Sequence, residues 1–170
     1  MQSTVTYLYD PDDETPYKAI RLIAQTLKVK GVGDHARMAQ EAINQWRHDN
    51  NLDPEPAAAD SEQPAAKEPT QEQLVLYHAY LRWAKCAASI RKVLVVRGEQ
   101  SLDPDQADVW PWEETNLAVL GLDRPQGSLD LPVDLLEAWE RATDMVNPGV
   151  FGRNNLTSAA KKKTGVLSVT

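Results

Sequence analysis

The sequence predicts a mainly α-helical protein, a helical bundle with long loops and short terminal β-strands. Three observations carry that expectation. Apolar residues recur at three- and four-residue steps in four separate stretches. Capping residues stand ahead of several of those stretches. Strand-like composition is confined to the two ends of the chain, Thr4 to Tyr9 and Gly165 to Thr170.

Thr4, Val5, Thr6, Tyr7, Leu8 and Tyr9 alternate and suit a short strand, which Asp10-Pro11-Asp12-Asp13 ends as a turn. Thr15-Pro16 then offers a helix start, since threonine caps and proline is tolerated at the first helical position. Ile20, Ile23, Ala24 and Leu27 follow at helical spacing, and Gly31 and Gly33 are expected to stop that helix. Asp34 opens the next, with Ala36, Ala39, Ile43 and Trp46 on one face and Asn50-Asn51 at its end. Residues 1–52 thus read as a strand plus a helical hairpin.

Residues 53–69 differ in kind. They hold Pro54, Pro56, Pro64 and Pro69 with acids and alanines and no apolar period, the composition of an acidic linker. Residues 70–147 read as a second helical unit. Thr70 and Gln73 match a capping box, and Leu74, Tyr77, Leu81, Ala84 and Ala88 form a stripe expected to run to about Val96 and to end at Gly98. Ser101 to Ser128 is rich in turn formers and reads as a long structural loop, with Trp110, Pro111 and Trp112 positioned to pin it to the core. Leu131-Pro132 opens a last helix with Leu135, Leu136, Trp139, Ala142 and Val146 inward. Residues 148–170 form a basic tail ending in strand-like residues, which need a pairing partner in this chain or on another.

Charge sharpens that division. The net charge is −7, yet Pro148 to Thr170 contains no acid and carries Arg153, Lys161, Lys162 and Lys163. The preceding 147 residues therefore carry −11, an acidic body that resists non-specific adhesion to nucleic acid. The lone Cys86 excludes an intrachain disulfide and reads as buried packing in a reducing compartment. No stretch reaches the apolar length of a membrane span, and no signal peptide is evident, so an intracellular protein is expected and the Asn155-Leu156-Thr157 sequon reads as chance.

No catalytic, cofactor or metal site is legible, and no enzyme is expected. His35, His48 and His78 lack metal-ligand spacing with one another or with Cys86. Gly31-Val32-Gly33 lacks the third glycine and the lysine of a phosphate loop. Glu113-Glu114 are adjacent, which does not show a shared cleft. Arg82, Lys85, Arg91, Lys92 and Arg97 are expected on the third helix, as a solvated face or an interface with an acidic partner.

From Leu81 to Val146, together with the terminal segment, the chain resembles a family of bacteriophage neck proteins often labelled DnaT-like single-stranded DNA-binding. The resemblance rests on Arg97-Gly98, Asp103-Pro104-Asp105-Gln106, Trp110-Pro111, Gly127, Leu131-Pro132, Ala138 with Ala142, and Lys163-Thr164-Gly165-Val166-Leu167-Ser168-Val169, in that order. It departs from the family where Trp112 replaces the usual arginine, and the first 70 residues do not match. The resemblance implies a helical-bundle adaptor of the virion neck, assembled in the host cytoplasm. It would form a ring-shaped homo-oligomer, a dodecamer on the family's pattern, beneath the portal protein. It would bind the portal and the next neck or tail protein, with no cofactor, membrane or nucleic acid involved. Lys161, Lys162, Lys163, Gly165, Val166, Leu167, Ser168 and Val169 would then be the partner-binding residues, the strand adding to a sheet edge on the portal or a neighbouring subunit. Two other readings stand beside it. One is an acidic regulatory or DNA-mimic interaction protein. The other is a single-stranded DNA binder using Tyr80, Trp83 and Trp110.

Overall fold

In the computed structural model, residues 1–53, 67–98, 100–151 and 167–169 are described. The element order is β1 (Gln2–Leu8), β2 (Tyr17–Gln25), α1 (Val29–Asp49), α2 (Gln71–Ala88), β3 (Ile90–Arg97), β4 (Glu113–Thr115), α3 (Val133–Val146) and β5 (Leu167–Val169), with three short 3-10 turns between β3 and α3. The five strands form one antiparallel sheet in the order β4-β3-β2-β1-β5. The protein is therefore mixed α/β, and the expected mainly α bundle is corrected.

Two stretches account for the correction. Tyr17–Gln25 is a strand, not a helix. It is flanked on both sides, by β1 and by β3, and both its faces meet other residues. Ile20, Leu22 and Ala24 turn to the main core, while Ala19 is buried on the opposite face with Val96 and Trp110. Apolar residues on both faces of an inner strand recur at many spacings, so Ile20, Ile23 and Ala24 mimic a helical period. The second stretch is Ile90–Arg97, expected as the end of a long helix. The helix stops at Ala88, and Ser89 makes the corner. Ser89 is fully buried, donates its hydroxyl to the Gln25 carbonyl at 2.6 Å, and accepts the Gln25 amide on its own carbonyl at 2.8 Å. The β-branched Ile90, Val93, Val95 and Val96 then favour the pleated strand over further helix.

The other helices follow their signals more closely. The Thr70 hydroxyl accepts from the Gln73 amide and the Gln73 side chain accepts from the Thr70 amide, completing the capping box. α1 starts earlier than expected and runs through Gly31 and Gly33, which do not stop it. A Cβ at Gly31 would lie 2.8 Å from a Leu27 methyl, so glycine leaves room for Leu27 against the first turn. Asn51, with φ of 55°, ends the helix in the left-handed region that asparagine tolerates.

Three apolar clusters hold these elements. Val5, Tyr7, Ile20, Leu22 and Val93 of one sheet face pack on Leu135, Trp139, Ala142 and Val146 of α3. Ala42 and Trp46 of α1 pack on Tyr80, Trp83 and Ala84 of α2. A smaller cluster, Ala19, Val96 and Trp110, covers one end of the other sheet face. Residues 1–52 and 70–147 thus share one sheet and one helix pair. Among the described residues no helix is long and apolar enough to cross a membrane.

Candidate interaction surface

The sheet's β1 edge carries β5. β1 alternates Ser3, Val5 and Tyr7 into the core against Thr4, Thr6 and Leu8 on the other face, and the apolar set fixes its register on β2. Its outer side receives β5 in antiparallel register: Val5 opposite Val169, Thr6 opposite Ser168, and Tyr7 opposite Leu167. The terminal strand lies on its own chain here, rather than on a neighbour. Of the sequence-derived partner-binding residues, Leu167, Ser168 and Val169 form this strand, while Lys161, Lys162, Lys163, Gly165 and Val166 lie outside the described residues.

Beyond Leu8 the β1–β2 connection carries Asp10, Asp12, Asp13 and Glu14, all exposed. It is a tight acidic tip. Asp13 accepts from the Asp10 amide at 3.0 Å, and Asp10 accepts from the Asp12 amide at 3.2 Å. Beside it Tyr9 has its phenol pushed up to about 12, by burial first and then by Tyr7 and Asp13.

Trp110, Pro111 and Trp112 lie against the second sheet face. Trp110 is buried and its indole N–H donates to the Asp103 carbonyl at 2.9 Å. Trp112 donates to the Ala107 carbonyl at 2.7 Å, and the two rings lie 5.6 Å apart. Pro111 between them is exposed. Arg21, which the sequence reading did not single out, closes this group. Its guanidinium lies 4.6 Å from the Trp112 ring, donates to Thr6 Oγ1 at 2.9 Å and pairs with Asp108 at 3.3 Å. Nothing local in the sequence marks it, because its role depends on β2 lying beside β1 and under Trp112.

The basic residues expected on one helix are divided between two elements. Arg82 and Lys85 lie on α2, while Arg91, Lys92 and Arg97 lie on β3. Lys85 is nearly buried, with Nζ 3.2 Å from Glu140 and 2.8 Å from Asp144 on α3, and Arg82 pairs with Glu140 at 3.5 Å. Burial pushes the Lys85 ammonium down, but the Asp144 hydrogen bond and the charges of Glu140 and Asp144 outweigh it and the net shift is upward. Lys92 pairs with Glu114 at 3.4 Å and Arg97 approaches Glu113 at 4.0 Å across β3 and β4.

The aromatics considered for base stacking are taken up by packing. Tyr80, Trp83 and Trp110 are all buried. The Trp83 indole donates to the Leu122 carbonyl at 2.7 Å and the Tyr80 hydroxyl to Asp49 at 2.6 Å. Cys86 is buried and burial pushes its thiol up to about 12, with Glu140 adding to the shift. His35 meets Phe151 edge-on at 4.8 Å, and burial followed by the Lys85 charge lowers its pKa. His48 lies 3.5 Å from Asp53, and His78 stacks edge-on with Tyr77. Among the described residues no group of three His, Cys, Asp or Glu side chains is placed to hold a metal ion.

Compared with known proteins, the chain matches no protein family, no curated protein and no solved structure. The chemistry of the surface is therefore read from its own residues. It offers main-chain hydrogen bonding along a sheet edge, an acidic tip at one end of that edge, and an arginine–tryptophan group on the adjoining face.

Proposed function

We propose that this chain is an assembly protein of a tailed-phage virion, a neck adaptor that joins the portal protein to the next neck or tail protein. The observation that carries the proposal is β5. Leu167–Val169 pairs with Val5–Tyr7 on a sheet edge of its own chain, and in sequence it follows a stretch with no acid and a run of lysines. Strand addition of this kind supplies affinity through main-chain bonds and register through alternate side chains. The Asp103–Gln106, Trp110-Pro111 and Leu131-Pro132 resemblance supports the virion setting. The helical bundle that the resemblance implied is not part of the proposal, since the fold is mixed α/β. In this reading the copies form a ring and the basic tail and terminal strand make the outward contacts.

Light scattering with and without purified portal protein tests the proposal. The full chain is expected to form a multi-copy complex on the portal. A chain lacking Gly165 to Thr170 is expected to keep its helical circular dichroism and to lose most of that complex. If the full chain stays monomeric beside the portal, the adaptor reading is wrong.

A further inference from the structure

We infer that residues 29–35, the first two turns of α1, open as a local unit while the rest of the fold stays closed, with the His35–Phe151 contact as a catch that acid releases. This opening belongs to the chain itself and does not depend on an adaptor role.

The stretch is helical against its own local signals. Lys28 stands at the N-cap without a side-chain cap hydrogen bond, and the first turn holds no acid. Lys30 instead puts a positive charge at the positive end of the helix dipole. Gly31 and Gly33 each favour the unwound chain over the helix. Such a start persists through packing rather than propensity. Yet residues 29–37 contribute nothing to any of the three apolar clusters. Both buried residues of α1, Ala42 and Trp46, lie in its second half, and its packing on α2 begins at Met38. Val29 is 91% exposed, and a Cβ added at Gly33 would meet nothing within 4 Å.

The two ends of the stretch are fixed. The Leu27 amide donates to Asn147 Oδ1 at 2.7 Å, and Met38 and Ala39 pack on the cluster between α1 and α2. Between these anchors the His35 ring meets Phe151 edge-on at 4.8 Å, tying the second turn to the chain that follows α3.

Charge makes that tie sensitive to acid. Phe151 already carries the Lys85 ammonium, 5.5 Å from its ring centroid. An imidazolium at His35 would be a second cation against the same ring. The carboxylates of α3 are committed, since Glu140 and Asp144 pair with Lys85 and Arg82 of α2. On α1 itself Arg37 pairs with Glu41 at 3.0 Å, and Lys30 and Asp34 precede the ring. Burial first, and then the Lys85 charge, hold the folded His35 pKa below its ordinary value. The open segment therefore binds the proton first, and falling pH favours opening.

Hydrogen exchange on the full chain, read by mass spectrometry, tests this at roughly pH 7.5 and pH 5, on either side of the ordinary imidazole range. The amides of residues 33–39 donate to the carbonyls of residues 29–35 and lose them on opening. After correction for the chemical exchange rate, they are expected to be less protected than residues 43–49 at the higher pH. At the lower pH they should lose a further several-fold, while residues 43–49 and β2 hold theirs. Gly33→Ala should raise their protection about fivefold by favouring the helix. Phe151→Ala should lower it at both pH values, and His35→Gln should remove the pH dependence. Equal protection along α1 at both pH values overturns the local opening. A pH dependence that survives in His35→Gln, or unchanged protection in Phe151→Ala, overturns the catch.

Discussion

Lys85 and Asp144 join α2 to α3 by an ammonium–carboxylate contact of 2.8 Å, with side-chain exposures of 11% and 8%. Glu140 completes the group at 3.2 Å from the same ammonium. Lys85→Ala leaves two acids facing each other in a nearly closed site. A loss of about 3 kcal/mol is expected in urea denaturation, because breaking one side of a buried pair strands the other. Lys85→Ala with Asp144→Ala should cost less than the sum of the two single changes. Additive losses would show that the pair does not couple the helices.

Gly127 is set by its neighbour Gly121. A Cβ at Gly127 would fall 1.7 Å from the Gly121 carbonyl oxygen, closer than any real contact, and that obstacle is backbone. Gly121 itself has φ of +73° and ends the turn Leu117–Leu120. Gly127→Ala must push the two turns apart, and a loss of about 2–4 kcal/mol is expected. Gly33→Ala, where an added Cβ meets nothing within 4 Å, serves as the control and should be neutral or stabilising by thermal melting.

Asn147 ties three elements through one amide. Its Nδ2 donates to the Gln25 carbonyl, the Ser89 hydroxyl and the Thr143 carbonyl at 2.9 to 3.0 Å, and its Oδ1 accepts the Leu27 amide. Asn147→Asp keeps the shape but replaces donors by an acceptor facing two carbonyls. A loss of about 3 kcal/mol at neutral pH is expected, with partial recovery in acid as the carboxyl gains a proton to donate. Equal melting temperatures of variant and parent would remove Asn147 from its role as a tie.

His35 gives the fold a sensitivity on the acid side. Burial, and then the nearby Lys85 charge, hold its folded pKa below 6.5. The unfolded chain therefore binds this proton first. The stability His35 contributes is complete above pH 6.5 and is lost as pH falls toward and through the lowered value. His35→Gln should flatten the melting temperature across that window while leaving losses at lower pH in place. A parent and variant with parallel profiles would show that His35 does not titrate in the folded state as described.

How far the sequence disclosed this fold depends on what each residue was facing. The capping box of Thr70 and Gln73 and the start of α3 at Leu131-Pro132 are local devices, and both ends form where their residues indicate. β1 was legible because only one of its faces enters the main core, which leaves a clean alternation. β2 was hidden by its position: with Ile20, Leu22 and Ala24 on one face and Ala19 on the other, no single period survives. β3 was hidden by continuity, since Cys86, Ala87, Ile90 and Val93 extend the α2 stripe across a corner that only the pairing of Ser89 with Gln25 reveals. In the candidate surface, the tryptophan loop and the terminal strand were visible as composition. Arg21 and the acceptor edge were not, because both depend on which strands become neighbours.

β2 and β3 lie side by side, and so do α1 and α2, yet each pair is separated in the chain by residues 54–66. The sheet pairing and the helix packing join the residues before that stretch to those after it by contacts of their own. A protease cutting within it should yield two fragments that co-elute as one particle in gel filtration. The two pieces, produced apart, should reconstitute on mixing and offer a split-reporter scaffold whose halves recognise each other through a shared sheet.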